Sequence, residues 1–288
     1  MRDNLPMLTP LNLYQTGKIA ANGIDIYYET FGDAKNPAVL LIMGVSCPCL
    51  QWFPYFIDPI VNQGYYVIRF DNRDVGLSTW IDPVEWQKSP YKIEDMALDA
   101  VELLNALSID KAHIIGVSMG GAIAQRIAIS HPDKVITLSA IAAFVDVAAL
   151  GIGEISENFL ATVPNLEEYL GFWSLMAGKT FPLDFTLYSE LYRENVEVRK
   201  GYNPNSMGHH LGAIARSLSR IPELSTITVP TLVLHGTTDP LISIDHAIEY
   251  TQLIPSAKFV EMAGVGHDIP QGICPVIHPE IFTLFTTH

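Results

Sequence analysis

The run Gly116-Val117-Ser118-Met119-Gly120 sets a serine between two glycines, and a serine so placed is either a turn residue or a nucleophile. A serine hydroxyl is a weak nucleophile at neutral pH. It needs a general base to take its proton and a carboxylate to orient that base. The β-branched "HIIGV" precedes this serine and the alanine-rich "GGAIAQ" follows it, so the motif would occupy a tight turn from strand to helix. Only glycine-sized neighbours avoid collision on such a turn, and the serine then lies near the positive end of the helix.

Partners for Ser118 occur downstream in chain order. "TLVLHGTTDPLIS" puts Asp239 in a loop just past an apolar run, and "KFVEMAGVGHDIP" puts His267 in a loop past the next. Both would emerge at the carboxyl edge of a parallel sheet, the edge where Ser118 must also lie. Asp146, beyond the preceding run "VITLSAI", is a second candidate for the carboxylate. Of the nine histidines, His235 in a strand end and His131 before Pro132 read as structural. His209 and His210 stand in a segment that could touch a substrate but would hold a base poorly at fixed distance. Asp268, next to His267, is expected to point elsewhere.

A tetrahedral oxyanion also needs donors. The backbone N–H of Met119, directly after the nucleophile, is one; Val45, in the loop after "AVLLIMG", is expected to supply the other. Gly44 gives that loop its freedom.

These residues need a scaffold, and the chain supplies its rhythm. "AVLLIMG", "YVIRFD", "AHIIGVS", "VITLSAI", "TLVLHG" and "KFVEMAG" are continuous apolar runs of buried parallel strands, whereas "GIDIYYETFG" alternates and reads as an antiparallel edge strand. Ile93, Met96, Ala97, Ala100, Val101, Leu104 and Leu107 recur at helical spacing, with acidic residues opposite them. The expected class is α/β, a mostly parallel sheet with helices on both faces. After "SAIAAF" the strand rhythm stops, and helix-like stretches such as "NLEEYLGFWSLMAG" and "LYSELYRENVEVRKG" fill the sequence until "VPTLVLHG". Residues 144–220 therefore read as an inserted helical cap on a core of residues 1–143 and 221–288. Phe172, Trp173, Met176, Phe181, Phe185 and Tyr188 would give that cap an apolar underside.

Composition narrows the partners. Of the 288 residues 49% are hydrophobic, enough for one large domain, and 31 acidic against 17 basic residues give a net charge of −14. Such a charge repels nucleic acid and anionic membrane surfaces. The start of the sequence has no apolar run of export-signal length, and no window holds the ~20 apolar residues of a spanning helix. A cytoplasmic protein is expected. Three cysteines, two of them in "SCPCLQW", read as free thiols, since no further ligands stand near for a metal. Neither metal nor cofactor is expected, and oligomeric state is open.

With these residues placed, "RFDNRDVGLST", "GVSMGG", "LHGTTDP" and "GVGHD" together resemble the α/β-hydrolase superfamily from about Ile19 onward. "LIMG" with "DNRDVGLST" resembles its aclacinomycin methylesterase-like carboxylesterases. The resemblance implies a Ser118-Asp239-His267 triad and an oxyanion hole from the amides of Val45 and Met119. Met43-Gly44 replaces the His-Gly common elsewhere in the superfamily, and Arg73 and Asp74 read as structural. A serine at the turn argues against haloalkane dehalogenases and epoxide hydrolases, which use aspartate there. The expected activity is hydrolysis of a small to medium hydrophobic or methyl ester. A lactonase, a C–C bond hydrolase, a perhydrolase or a non-enzymatic ligand receptor are the alternatives.

Overall fold

The computed structural model describes residues 8–10, 12–150, 165–255 and 257–287. The strands are β1 Leu13–Ala21, β2 Ile24–Phe31, β3 Ala38–Ile42, β4 Tyr66–Phe70, β5 Ala112–Val117, β6 Val135–Ile141, β7 Thr231–Gly236 and β8 Ala257–Met262. They form one sheet in the order β1-β2-β4-β3-β5-β6-β7-β8. β1 pairs with β2, and β2 with β4, antiparallel; the other pairings are parallel. From β3 the chain steps outward to β4 on one side, then returns to place β5 on the other. That reversal opens a crevice at the carboxyl ends of β3 and β5.

The continuous apolar runs have a direct cause. In β3, Leu40 and Ile42 join one core with Met96, Ala97 and Ile123, while Val39 and Leu41 join another with Phe56, Ile57, Ile277 and Ile281. Successive side chains point to opposite faces, and both faces are covered. The covering helices in chain order begin with α1 Pro54–Asn62, α2 Pro83–Lys88, α3 Ile93–Ala106 and α4 Met119–Ser130. α3 buries the expected apolar stripe, with one exception on its polar side. Asp99 is buried there, and Arg73 grips it with Nε to Oδ2 and Nη2 to Oδ1, both at 2.6 Å.

Two strand expectations need correction. β2 is antiparallel as its alternation suggested, yet it is not the edge, because β1 covers it. "LYQTGKIAA" is largely exposed and too polar to announce a strand. β8 is the opposite edge and only partly buried, although its sequence reads as a core strand.

Between β6 and β7 lie α5 Leu166–Met176, α6 Phe185–Tyr192 and α7 Ser206–Arg216; α8 Ile244–Thr251 and α9 Cys274–Thr286 follow β7 and β8. Residues 151–164 of the expected insertion lie outside the described residues. Asn165 starts α5 by accepting from Glu168 N–H at 3.0 Å, and Asp184 starts α6 by accepting from Leu187 N–H at 2.9 Å. The segment leaves and rejoins the sheet at one neck. There Arg220 donates its backbone N–H to Val145 O at 3.0 Å and its guanidinium to Phe144 O at 2.8 Å and Gln125 Oε1 at 3.0 Å. α5 and α6 pack Trp173, Met176, Leu187 and Tyr188 against Leu50 and Phe53. Among the described residues no helix is long and apolar enough to cross a membrane.

Candidate active site

β5 ends at Val117 and α4 begins at Met119, so Ser118 alone makes the turn, with φ 55° and ψ −120°. That is a strained position for a residue with a side chain, and surrounding contacts must hold it. The flanking glycines meet a steric demand. A Cβ on Gly116 would stand 2.1 Å from Gly120 O, and one on Gly120 would stand 2.1 Å from Ile42 O. Strand β3, strand β5 and helix α4 thus converge with no room for a methyl group, and the serine is pushed out at the crevice.

The structure brings Ser118, His267 and Asp239 into one hydrogen-bonded line. His267 Nε2 lies 2.9 Å from Ser118 Oγ, and His267 Nδ1 lies 2.7 Å from Asp239 Oδ2. Asp239 is itself fixed: its Oδ1 accepts from Leu241 N–H at 2.8 Å and Ile242 N–H at 3.0 Å. Burial pushes the Asp239 carboxyl up, but the charges and hydrogen bonds of His267 and His235 outweigh it and hold the pKa well below the carboxylate range. Asp146 is not part of this line. It accepts from Ala148 N–H at 2.8 Å and caps a short helical turn.

The His267 backbone is anchored from α5. Its N–H donates to Met176 O, the last residue of α5, at 2.7 Å. The two chains run so close that a Cβ on Gly266 would stand 2.1 Å from that same carbonyl.

Opposite Ser118 lies the loop after β3, and a Cβ on Gly44 would be 3.3 Å from Ser118 Cβ. Among the described residues, neither Val45 N–H nor Met119 N–H has a hydrogen-bond acceptor. Two side chains shape this loop. Asn72 donates to Met43 O at 3.0 Å, and His210 Nδ1 accepts from Ser46 N–H at 3.1 Å. His210 Nε2 donates to Arg73 O at 2.8 Å, and burial pulls its pKa down to about 4, so the neutral ring both accepts and donates.

His209 and His210 therefore do not face a substrate space, contrary to the expectation from their place in the insertion. His209 stacks on Trp86 and sets Nδ1 2.9 Å from Asp74 Oδ2. Asp74 also accepts from Ile81 N–H at 2.6 Å and Tyr91 O–H at 2.7 Å, which makes it a loop fastener. α7 turns Met207, Leu211 and Ile214 to the cavity instead.

That cavity has Ser118 and His267 in its lining together with Gly44, Val45, Phe144, Phe172, Trp173 and Met176. Of the aromatic and methionine side chains expected underneath the insertion, Phe172, Trp173 and Met176 line it. Phe181 and Tyr188 border a second cavity, and Phe185 faces solvent. Cys47 also borders the first cavity, with its thiol pushed up to about 12 by burial and the nearby Asp268. Such a thiol is protonated and inert. All three cysteines are free, and among the described residues no group of His, Cys, Asp and Glu is arranged to hold a metal.

Gln51 and Asp268 are among the wall residues that sequence reasoning missed. Asp268 is held by Tyr188 rather than by His267, yet it borders the same cavity as the histidine. Nothing in "GVGHD" could reveal this, because the direction of the side chain is set by α6.

The fold, with a half-buried serine at its strand-to-helix turn, defines the class of protein, an α/β hydrolase. The chain belongs to the alpha/beta hydrolase fold family, whose sequence model matches residues 37–270. It is 28% identical over 287 residues to rhodomycin D methylesterase DnrP of Streptomyces peucetius, covering 90% of this chain and 94% of that one. It is 27% identical over 262 residues to 2-hydroxy-6-oxononadienedioate/2-hydroxy-6-oxononatrienedioate hydrolase 1 of Dechloromonas aromatica, covering 85% and 84%. A solved bacterial membrane phospholipase A shares the fold with a TM-score of 0.78 and 23% identity, over 95% of this chain and 87% of that one.

Proposed function

We propose that the protein is a serine carboxylesterase that cleaves small to medium apolar esters, or methyl esters of larger acids, through an acyl-enzyme on Ser118. One observation carries this reading: the hydrogen-bonded line Ser118-His267-Asp239 opens on a mainly apolar cavity. Asp239 keeps the proton of His267 on Nδ1, so Nε2 offers a lone pair to the Ser118 hydroxyl. Ser118 Oγ adds to the ester carbonyl as its proton passes to Nε2. The N–H groups of Val45 and Met119 meet the charge that develops on the carbonyl oxygen. His267 then protonates the leaving alkoxide, and the alcohol departs. A water that gives its proton to His267 attacks the acyl-enzyme, the acid is released, and Ser118 recovers its hydrogen. In this reading residues 144–220 are a cap roofing the site, on a core of residues 1–143 and 221–288, and the free thiols suit the reducing cytoplasm.

The cavity wall favours this reading over C–C bond cleavage of a dioate. Among the described residues its lining holds no lysine or arginine, while Asp268 adds a carboxyl group. Two substrate carboxylates would find no counter-charge there. The test is intact-mass measurement after treatment with a fluorophosphonate. One adduct, absent from Ser118→Ala, is the expected result; no adduct at an accessible site would refute the mechanism.

The pH profile follows from His267. Burial lowers its pKa, but the charge and hydrogen bond of Asp239, joined by the charge of Asp268, outweigh burial and hold it above the ordinary 6.5. A base must be neutral to act, so kcat/KM is expected to rise with pH through a midpoint above pH 6.5. Initial rates on p-nitrophenyl butyrate across the pH range check this, and a rate flat down to about pH 4 contradicts it.

His210 is a positioning residue in this scheme, acting through the loop that carries Val45. His210→Ala is expected to lower kcat about 10-fold or more with KM nearly unchanged, since the loop's amide loses its alignment. His210→Asn, which keeps an acceptor for Ser46 N–H, should recover part of kcat. Equal losses in both variants, matched by equal losses of thermal stability, would assign His210 to packing alone.

A further inference from the structure

Two polar side chains of the cavity wall take no part in the bond making above, Gln51 and Asp268, and both meet the hydroxyl of Tyr188. Tyr188 has one proton to give. It donates that proton to Asp268 Oδ1 at 2.9 Å, and Ile269 N–H donates to the same oxygen at 2.6 Å. The lone pair left on Tyr188 then faces the Gln51 amide nitrogen at 3.5 Å, a long contact. Gln51 Oε1 is the end without a partner, and it is buried. Asp268 Oδ2 has no hydrogen bond among the described residues, and Asp268 borders both cavities.

The arrangement is one-sided. Gln51 and Asp268 each keep an acceptor without a partner, the rest of the wall is apolar apart from Ser118, His267 and Cys47, and no lysine or arginine is among its described lining residues. Unpaired acceptors at a buried site are costly, and a ligand that brings a donor relieves that cost, whereas one that brings a carboxylate adds to it.

We propose that Asp268 and Gln51, set by Tyr188, form a specificity subsite for a hydrogen-bond-donating substituent, hydroxyl or ammonium, on an otherwise apolar ester. The proposal rests on the esterase reading for turnover, but not for binding. Asp268 and Gln51 do not take part in bond making; they select which esters are held with the carbonyl at Ser118.

The experiment compares methyl phenylacetates carrying a methyl, hydroxymethyl, aminomethyl or carboxymethyl group at the meta or para position. In the native enzyme, kcat/KM for the hydroxymethyl or aminomethyl ester is expected to exceed that of the methyl isostere by about 10-fold or more at one ring position, with the carboxymethyl ester the poorest. In Asp268→Asn and Gln51→Leu that preference should shrink toward one. A ratio within each variant cancels any general loss of activity, so a merely structural role would not move it. Preference for the aminomethyl ester alone assigns the subsite to an ammonium, for the hydroxymethyl ester alone to a neutral donor, and for both to either donor. Equal kcat/KM for the methyl, hydroxymethyl and aminomethyl esters in the native enzyme overturns the proposal, as does a preference that survives in both variants. Calorimetric binding of the same esters to Ser118→Ala reads the subsite without turnover. Selective binding there without hydrolysis by the native protein would refute the esterase reading and keep the subsite. Hydrolysis and phosphonylation of Ser118 without selectivity would do the reverse.

Discussion

Ser118→Ala is expected to lower ester turnover by about 10⁴- to 10⁶-fold and to abolish the fluorophosphonate adduct. In the esterase reading the size follows from the arrangement: the proposed donors at Val45 and Met119 and the apolar cavity survive the substitution, but the atom that would form the covalent bond is gone. A residual rate within about 10-fold of the native enzyme would mean that another group is the nucleophile. The same position tests the strain in the turn. Alanine at φ 55° is as strained as serine, whereas glycine is at ease there, so Ser118→Gly should be equally inactive and melt at a higher temperature than Ser118→Ala. Equal melting temperatures would remove strain from the account of this turn.

Gly120→Ala is expected to be the most disruptive change of a single methyl group near the site. The new carbon would stand 2.1 Å from Ile42 O, 2.6 Å from Ile42 C and 2.8 Å from Met43 O. All three are backbone atoms, so no rotamer relieves the clash, and α4 must move away from β3. A loss of more than about 3 kcal/mol is expected, at the upper end of overpacking costs. This corresponds to a fall of roughly 6–12 °C in melting temperature for a chain of this size. Because β3 leads into the loop of Val45 and α4 begins at Met119, the two amides would also lose register, with kcat down about 100-fold or more. Gly171→Ala is the control. It lies in α5 with nothing within 4 Å of its would-be Cβ and should be neutral or stabilising by up to about 1 kcal/mol. A Gly120→Ala protein that melts within about 2 °C of native would overturn this reading of the elbow.

What could be read from the chain itself is what depends on local pattern. Continuous apolar runs belong to strands buried on both faces, and the loop after each such strand must open at one edge. Ser118, Asp239 and His267 are therefore legible as a set from the sequence, and the hydrogen bonds of 2.9 and 2.7 Å bring them together. The choice of Asp239 over Asp146 was less legible, since both follow strands, and only the packing of the following loop decides it. Side-chain direction was hidden altogether. His209 and His210 look like substrate contacts when the insertion is taken alone, yet they fasten the loops of Asp74 and Ser46. Asp268 looks incidental beside His267, yet Tyr188, eighty positions earlier in the chain, turns it into the cavity wall. β1 is illegible for a related reason, because an edge strand with few buried residues has no apolar pattern to show.

The hydrogen bond from His267 N–H to Met176 O has a consequence for how the enzyme would open. In the esterase reading, the base rests on the core through Asp239 and on the insertion through α5, like a lintel carried by two posts. Swinging α5 outward would remove one post, so an open mouth and a loaded base could not coexist. Entry by that route would make each turnover begin with reassembly of the site, whereas entry on the far side, past α7, would leave the base armed throughout. The protein would in the first case be silent until a ligand closed it, a safeguard against idle hydrolysis that follows from a single backbone contact.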